Sequence, residues 1–198
     1  MDDVLIMGVD IHALEVADIL ERMGRYRVLG LISVGAEHPE SYGGYTVLGD
    51  ASVLDKYPDA LRVPMHTWKD RSDKTNWLSM VAPSAFVSSS AALGVGCVVY
   101  PNCFIGANAR LGDGVFMLSG SIVNHDCKVE DKVTITSGVT LAGAVTVKTG
   151  AYLGQGSVIR QYLTVGEGGY VGMGAVVTKD VPDGVTVVGC PARPYHKT

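Results

Sequence analysis

The chain has 198 residues, a formal net charge of −4, 47% hydrophobic residues, 18% charged residues and 25 glycines. So apolar a composition excludes an intrinsically disordered chain, and the lack of a three-residue glycine period excludes collagen. No apolar run reaches about 18 residues, which argues against a transmembrane helix, and the mild acidity gives no electrostatic footprint for nucleic acid or anionic lipid.

The chain opens Met1-Asp2-Asp3, without the basic segment of a secretory signal, so a cytoplasmic protein with reduced thiols is expected. Val4-Leu5-Ile6-Met7 reads as a strand ending at Gly8. Ile11, Leu14, Val16, Ile19 and Leu20 then recur at helical spacing, with Gly24 as the stop. Arg27 to Ile32 reads as the next strand, which makes a βαβ opening and predicts a parallel sheet. Tyr45 to Asp50 and Leu61 to Val63 could each add a strand. The turn Gly8-Val9-Asp10-Ile11-His12 lacks the G-x-G-x-x-G pattern, and reads equally as an ordinary βα turn or a phosphate site at a helix N-terminus.

Composition changes near residue 80. Residues 1–80 hold 21 charged side chains, 7 glycines and a net charge of −5; residues 81–198 hold 15, 18 and +1. We therefore expect two domains, 1–80 and 81–198, with Lys69 to Lys74 as an exposed connector.

The second stretch has a period of six. From Val87, every sixth residue through Val177 is aliphatic or Met, sixteen positions without a slip. Two places before each lies a mostly small series that includes Ala85, Cys97, Cys103, Ser121, Cys127 and Ser157. Gly often follows the large residue, as at Gly94, Gly106, Gly112, Gly154, Gly166 and Gly172, where it would permit tight corner angles. Period six belongs to hexapeptide β-helices. Each hexad gives a short strand and a turn, three hexads a triangular coil, and sixteen about five coils. The large residue points inward and its small partner fills the corner, so Cys97, Cys103 and Cys127 are compact core filler. The four cysteines, with Cys190, show no C-x-x-C spacing and no nearby His cluster, so no metal site is expected. The N-terminal domain and the tail from Val181 can cap the two ends.

Of the five histidines, His12, His38, His66, His125 and His196, only His125 lies inside the repeat. It follows the inward Val123 by two places, so it should point outward near a corner, between Asn124 and Asp126. A neutral imidazole can take a proton from an alcohol or amine, and a carboxylate can orient it. A solvated surface histidine is the competing reading.

The hexad ladder, Asn124-His125-Asp126-Cys127, and the ending Gly174 to Pro182 with Gly189-Cys190-Pro191-Ala192-Arg193 resemble the hexapeptide-repeat acyltransferases. With the small α/β domain in front, the whole chain resembles the bacterial sialic-acid O-acetyltransferases and UDP-4-amino-sugar N-acetyltransferases. The resemblance implies a Rossmann-like βαβ domain followed by a left-handed parallel β-helix, assembled as a homotrimer with acetyl-CoA in grooves between subunits. It implies His125 as general base, Asp126 as the group raising its basicity, and the Gly143 N–H as oxyanion donor. Pantetheine would pass Gln155, Gly172 and Met173, while Lys179 and Arg193 would meet the coenzyme phosphates. Acceptor binding would fall to Gly8, Asp10, His12, Ser33 and Asn124, with a sugar or nucleotide sugar as partner in polysaccharide biosynthesis. Asp10-Ile11 replaces half of the family's Gly-Gly-His-Ala turn, Ser33-Val34 its Asp pair, Leu118 an Asn and Thr134 a His. Two other readings stand beside this one: a non-catalytic trimeric binding or assembly protein, and an acetyltransferase for a non-sugar acceptor such as an amino acid or antibiotic.

Overall fold

In the computed structural model, residues 1–68 and 75–195 are described; the expected connector over 69–74, and His196, lie outside them. The chain divides into two compact units, Met1–Met80 and Val81–Thr198.

The elements of the first unit are β1 (Asp2–Met7), α1 (Ile11–Arg22), β2 (Tyr26–Ile32), β3 (Ser41–Tyr42), β4 (Tyr45–Gly49) and β5 (Leu61–Pro64), with a 3-10 helix at Ala51–Lys56. The sheet order is β3-β4-β2-β1-β5, parallel except for the β3–β4 hairpin. That hairpin and the 3-10 helix are additions to the elements read from sequence. Gly43 and Gly44 both take positive φ, as a two-residue hairpin turn demands. Helix α1 buries Ala13, Val16, Ala17 and Leu20, whereas Ile11 is exposed. Ile11 precedes Ala13 by two residues, about 200° around the axis, so it faces away from the sheet. Leu5, Met7, Ile32, Ala60 and Trp68 form a buried cluster in the unit.

In the second unit the chain winds as a left-handed β-helix with three faces. The first face stacks six strands from Phe86–Val87 to Val176–Val177, and the second five from Ala92–Leu93 to Thr164–Val165. The third has eight, beginning at Met80–Val81 and ending at Thr186–Val188 and Arg193–Pro194. Neighbouring coils pair in parallel at an 18-residue step, as Phe104 with Ile122 and Thr134 with Tyr152. The closing strand Arg193–Pro194 alone among these described strands runs antiparallel. The ladder thus extends beyond the expected five coils, because Met80–Val81 and Thr186–Val188 join the stack outside the hexads counted from Val87.

Every ladder residue from Val99 to Val177 is buried. The small inward series also satisfies the corners. The Cys97, Cys103 and Cys127 thiols donate to the carbonyls of Gly112, Leu118 and Ala142 at 3.2, 3.2 and 3.1 Å, and the Ser121 hydroxyl donates to Thr136 O at 2.7 Å. Burial pushes the Cys103 and Cys127 thiols up, away from the reactive thiolate.

The glycines after the ladder residues have a different reason from the one the pattern suggests. Positive φ falls three places after the ladder residue, at every sixth position from Gly96 to Gly174. The glycine directly after the ladder residue instead lets two coils touch. A β-carbon at Gly112 would lie 2.8 Å from Asp131 N, and one at Gly154 would lie 2.6 Å from Met173 N.

Candidate active site

The β-helix edge between the first and second faces carries His125. This edge is a column of turns one coil apart, linked by Asp126 N–H to Ala107 O (2.9 Å), Ala144 N–H to His125 O (2.9 Å) and Tyr162 N–H to Gly143 O (3.2 Å). The ladder sequence determines the position. Val123 is inward, so His125, two residues on, stands out from the turn, and its side chain is 64% exposed.

His125 Nδ1 lies 2.8 Å from Asp126 Oδ2. An ionised carboxylate only accepts hydrogen bonds, so Nδ1 carries the proton and Nε2 presents its lone pair. The surroundings of Asp126 favour that ionised form. The hydrogen bond from His125 first, and then one from Asn108, hold its carboxyl below the usual carboxylate range. The Asn108 amide donates to Asp126 Oδ1 at 3.1 Å, which leaves Oδ2 for the imidazole. The other side of the ring rests on Gly143, one coil on. A β-carbon there would come within 2.6 Å of both His125 Cε1 and Nε2. Among the described residues no protein acceptor takes the Gly143 N–H. A ring nitrogen, a held carboxylate and an available backbone donor therefore meet on two stacked turns of one exposed edge.

No protein-family model matches the chain, and no curated protein matches it in sequence. Solved structures do. The acetyltransferase domain of PglB from Neisseria gonorrhoeae is 28% identical with a TM-score of 0.89, over 98% of this chain and 100% of that one, and has also been solved in complex with acetyl coenzyme A. PerB from Caulobacter crescentus, in complex with CoA and GDP-perosamine, is 28% identical with a TM-score of 0.89, over 99% and 98%. WeeI from Acinetobacter baumannii is 26% identical with a TM-score of 0.83, over 98% and 100%. The chain is an acetyltransferase that resembles these hexapeptide-repeat enzymes along its whole length.

In this acetyltransferase the residues expected around the coenzyme are spread over separate regions of the β-helix. Lys179 shares the edge of His125, Asp126 and Gly143, two residues after the inward Val177. Gln155, Gly172 and Met173 lie on the edge between the third and first faces, where Gly174 N–H donates to Gln155 O at 2.8 Å. Arg193 sits in the closing antiparallel strand, its guanidinium donating to Ala192 O at 2.9 Å. One β-helix therefore does not bring its two candidate edges together. The Asn124 amide donates to Leu141 O at 2.8 Å, along the stack.

The expected acceptor residues Gly8, Asp10, His12 and Ser33 belong to the first unit. Gly8 packs against Met65, and a β-carbon there would lie 2.7 Å from Met65 Cγ. Asp10 caps α1: Oδ1 accepts from Ala13 N–H at 2.9 Å, and Oδ2 accepts from the Thr67 hydroxyl at 3.2 Å. That carboxylate places negative charge where a phosphate would need it absent, which favours the ordinary-turn reading of this segment. His12 approaches Glu15 at 3.0 Å and the His66 ring edge-on at 5.3 Å. Ser33 is buried and its N–H donates to Gly49 O at 2.8 Å.

The sequence reading missed Asn108. Its signal is the position three after each ladder residue, where glycine predominates on the other two edges, broken by Asn102 and Lys132, but Asn108, Asp126, Ala144 and Tyr162 stand on this one. Non-glycine residues held at positive φ are uncommon and gather where function requires them.

Proposed function

We propose that the protein transfers the acetyl group of acetyl-CoA to the amine of an amino sugar, with a nucleotide-linked sugar as the acceptor class. The carrying observation is the His125 imidazole, held at Nδ1 by Asp126 and seated over Gly143. PglB, crystallised with acetyl coenzyme A, and PerB, crystallised with CoA and GDP-perosamine, support the two substrate classes.

In this reading the acceptor nitrogen attacks the thioester carbonyl carbon directly. His125 Nε2 receives the proton that nitrogen loses, and Asp126 stabilises the resulting imidazolium. The Gly143 N–H donates to the developing oxyanion. The carbon–sulfur bond then breaks, and the coenzyme sulfur leaves as the thiolate, to which the imidazolium can return the proton. Lys179 and Arg193 are suited to phosphate as cations forming charge-assisted hydrogen bonds.

The two separated edges favour a site completed by a second copy. Both edges bound the first face, whose outward residues Phe86, Phe104, Ile122, Thr140, Val158 and Val176 are largely apolar. Phe86 and Phe104 stack at 5.0 Å while 56% and 38% exposed. Three β-helices with this face toward a common axis would set the His125 edge of each against the Met173 edge of the next. We therefore assign the active assembly as a homotrimer.

The test is thiol release from acetyl-CoA with GDP- and UDP-linked amino sugars, comparing wild type with His125→Ala. Loss of a general base should cost about 10²–10⁴-fold in kcat. Equal rates would remove His125 from the chemistry.

A further inference from the structure

Asp126 is a demanding orienting group. It sits at positive φ (+60°) on an outward turn, its side chain 53% exposed. A carboxylate so placed is free to rotate into water unless its second oxygen is held. Asn108, one coil earlier on the same edge, holds it. Asn108 Nδ2 donates to Asp126 Oδ1 at 3.1 Å, while Oδ2 takes the imidazole at 2.8 Å. Asn108 is itself fixed. Its φ is +59°, a left-handed conformation that asparagine tolerates better than most residues, and the Asn108 N–H donates to Ser90 Oγ at 3.1 Å. A relay thus climbs the edge over three coils, Ser90 to Asn108 to Asp126, and ends on His125.

Resting on the general-base reading of His125, we infer that Asn108 is a positioning residue: its amide fixes the Asp126 carboxylate so that the imidazole keeps its proton on Nδ1 and offers Nε2 to the acceptor. Asn108 touches no reacting atom in this scheme. An amide suits the place because it donates to a carboxylate without adding charge, whereas a carboxylate there would repel Asp126 and donate nothing. Fixing the tautomer through a partner of the ring is a general device for tuning histidines, and loss of such outer partners costs about 10–100-fold in metal sites.

The test reads the ring itself and needs no acceptor. Full-length protein labelled with ¹⁵N-histidine, at a pH where the imidazole is neutral, reports the tautomer through its ring nitrogen shifts, with His125→Ala assigning the signal. Wild type should show Nδ1 protonated. Asn108→Gly keeps the left-handed turn and removes the amide, and Asn108→Asp keeps the shape and removes the donor. Each should shift population toward the Nε2–H form, and neither should change the signal further once Asp126 is Ala. In turnover each should lower kcat about tenfold with the KM for acetyl-CoA unchanged. Should Asn108→Gly fail to fold, the near-isosteric Asn108→Asp carries the same reading. Unchanged ring shifts in the folded variant would overturn the inference. So would a shift that persists in the Asp126→Ala background. Full activity of His125→Ala would instead overturn the general-base reading, whatever the tautomer of the ring.

Discussion

The turn at His125 depends on a residue that has no side chain. Gly143 does not need glycine for its backbone angles, since its φ is not positive, but the imidazole lies where a β-carbon would go. Gly143→Ala should therefore push the exposed ring away and leave the coil intact, because the atoms met are the far end of a mobile side chain. The expected result is a kcat loss of about 10²-fold, the scale of an ångström's misplacement of a reacting group, with an unchanged melting temperature. Steady-state kinetics beside a thermal melt would check this, and a variant that keeps full kcat would show that the ring's seat on Gly143 is immaterial. His125 and Asp126 were legible in sequence because they are polar residues interrupting a ladder of small and apolar ones. Asn108 was not. Its role is set by an 18-residue stacking distance, and an asparagine in a turn looks ordinary until the coil places it beside Asp126.

At the scale of the element, the repeat uses glycine in two ways, and they should fail differently. Gly120 has φ +72° and nothing within 4 Å of a notional β-carbon, so Gly120→Ala meets only the backbone cost of the left-handed conformation, about 1–2 kcal/mol. At Gly112 a β-carbon would lie 2.8 Å from Asp131 N and 2.9 Å from Glu130 C, which are backbone atoms of the next coil. Gly112→Ala must force apart a pair of adjacent strands, Leu111 from Val129 among their residues, and should lower the denaturant midpoint more than Gly120→Ala. Equal midpoints would mean that coil spacing yields to a methyl group. The period of six predicted both the architecture and the inward column, because a strict repeat leaves few other ways to bury an aliphatic residue every sixth place. It could not separate the two glycine roles, since one depends on φ and the other on the distance to a coil 18 residues away. The β3–β4 hairpin escaped for a related reason: Gly43-Gly44 is a strong turn signal, but Ser41–Tyr42 is too short to show a strand's alternation.

At the scale of the whole molecule, the proposed function depends on an assembly in which the edges of neighbouring copies meet. The first face offers an apolar surface for the proposed assembly, and two stacked exposed phenylalanines are an unusual feature to leave in water. Phe104→Asp should put a charge into the middle of that surface and shift the protein toward monomer in sedimentation, with loss of turnover although His125 and Asp126 are untouched. A trimer that survives this change would place the contact on another face. Sharing of the site gives a sharper expectation. His125→Ala removes the proposed base but leaves the Met173 edge whole, and Gln155→Trp obstructs that edge but leaves His125 whole. Each variant alone should be nearly inactive. When the two are unfolded together and refolded as mixed trimers, some junctions join an intact His125 edge from one subunit to an intact Met173 edge from another, and activity should return at those junctions. Sites contained within single chains would show no recovery, because every chain in the mixture carries one defect.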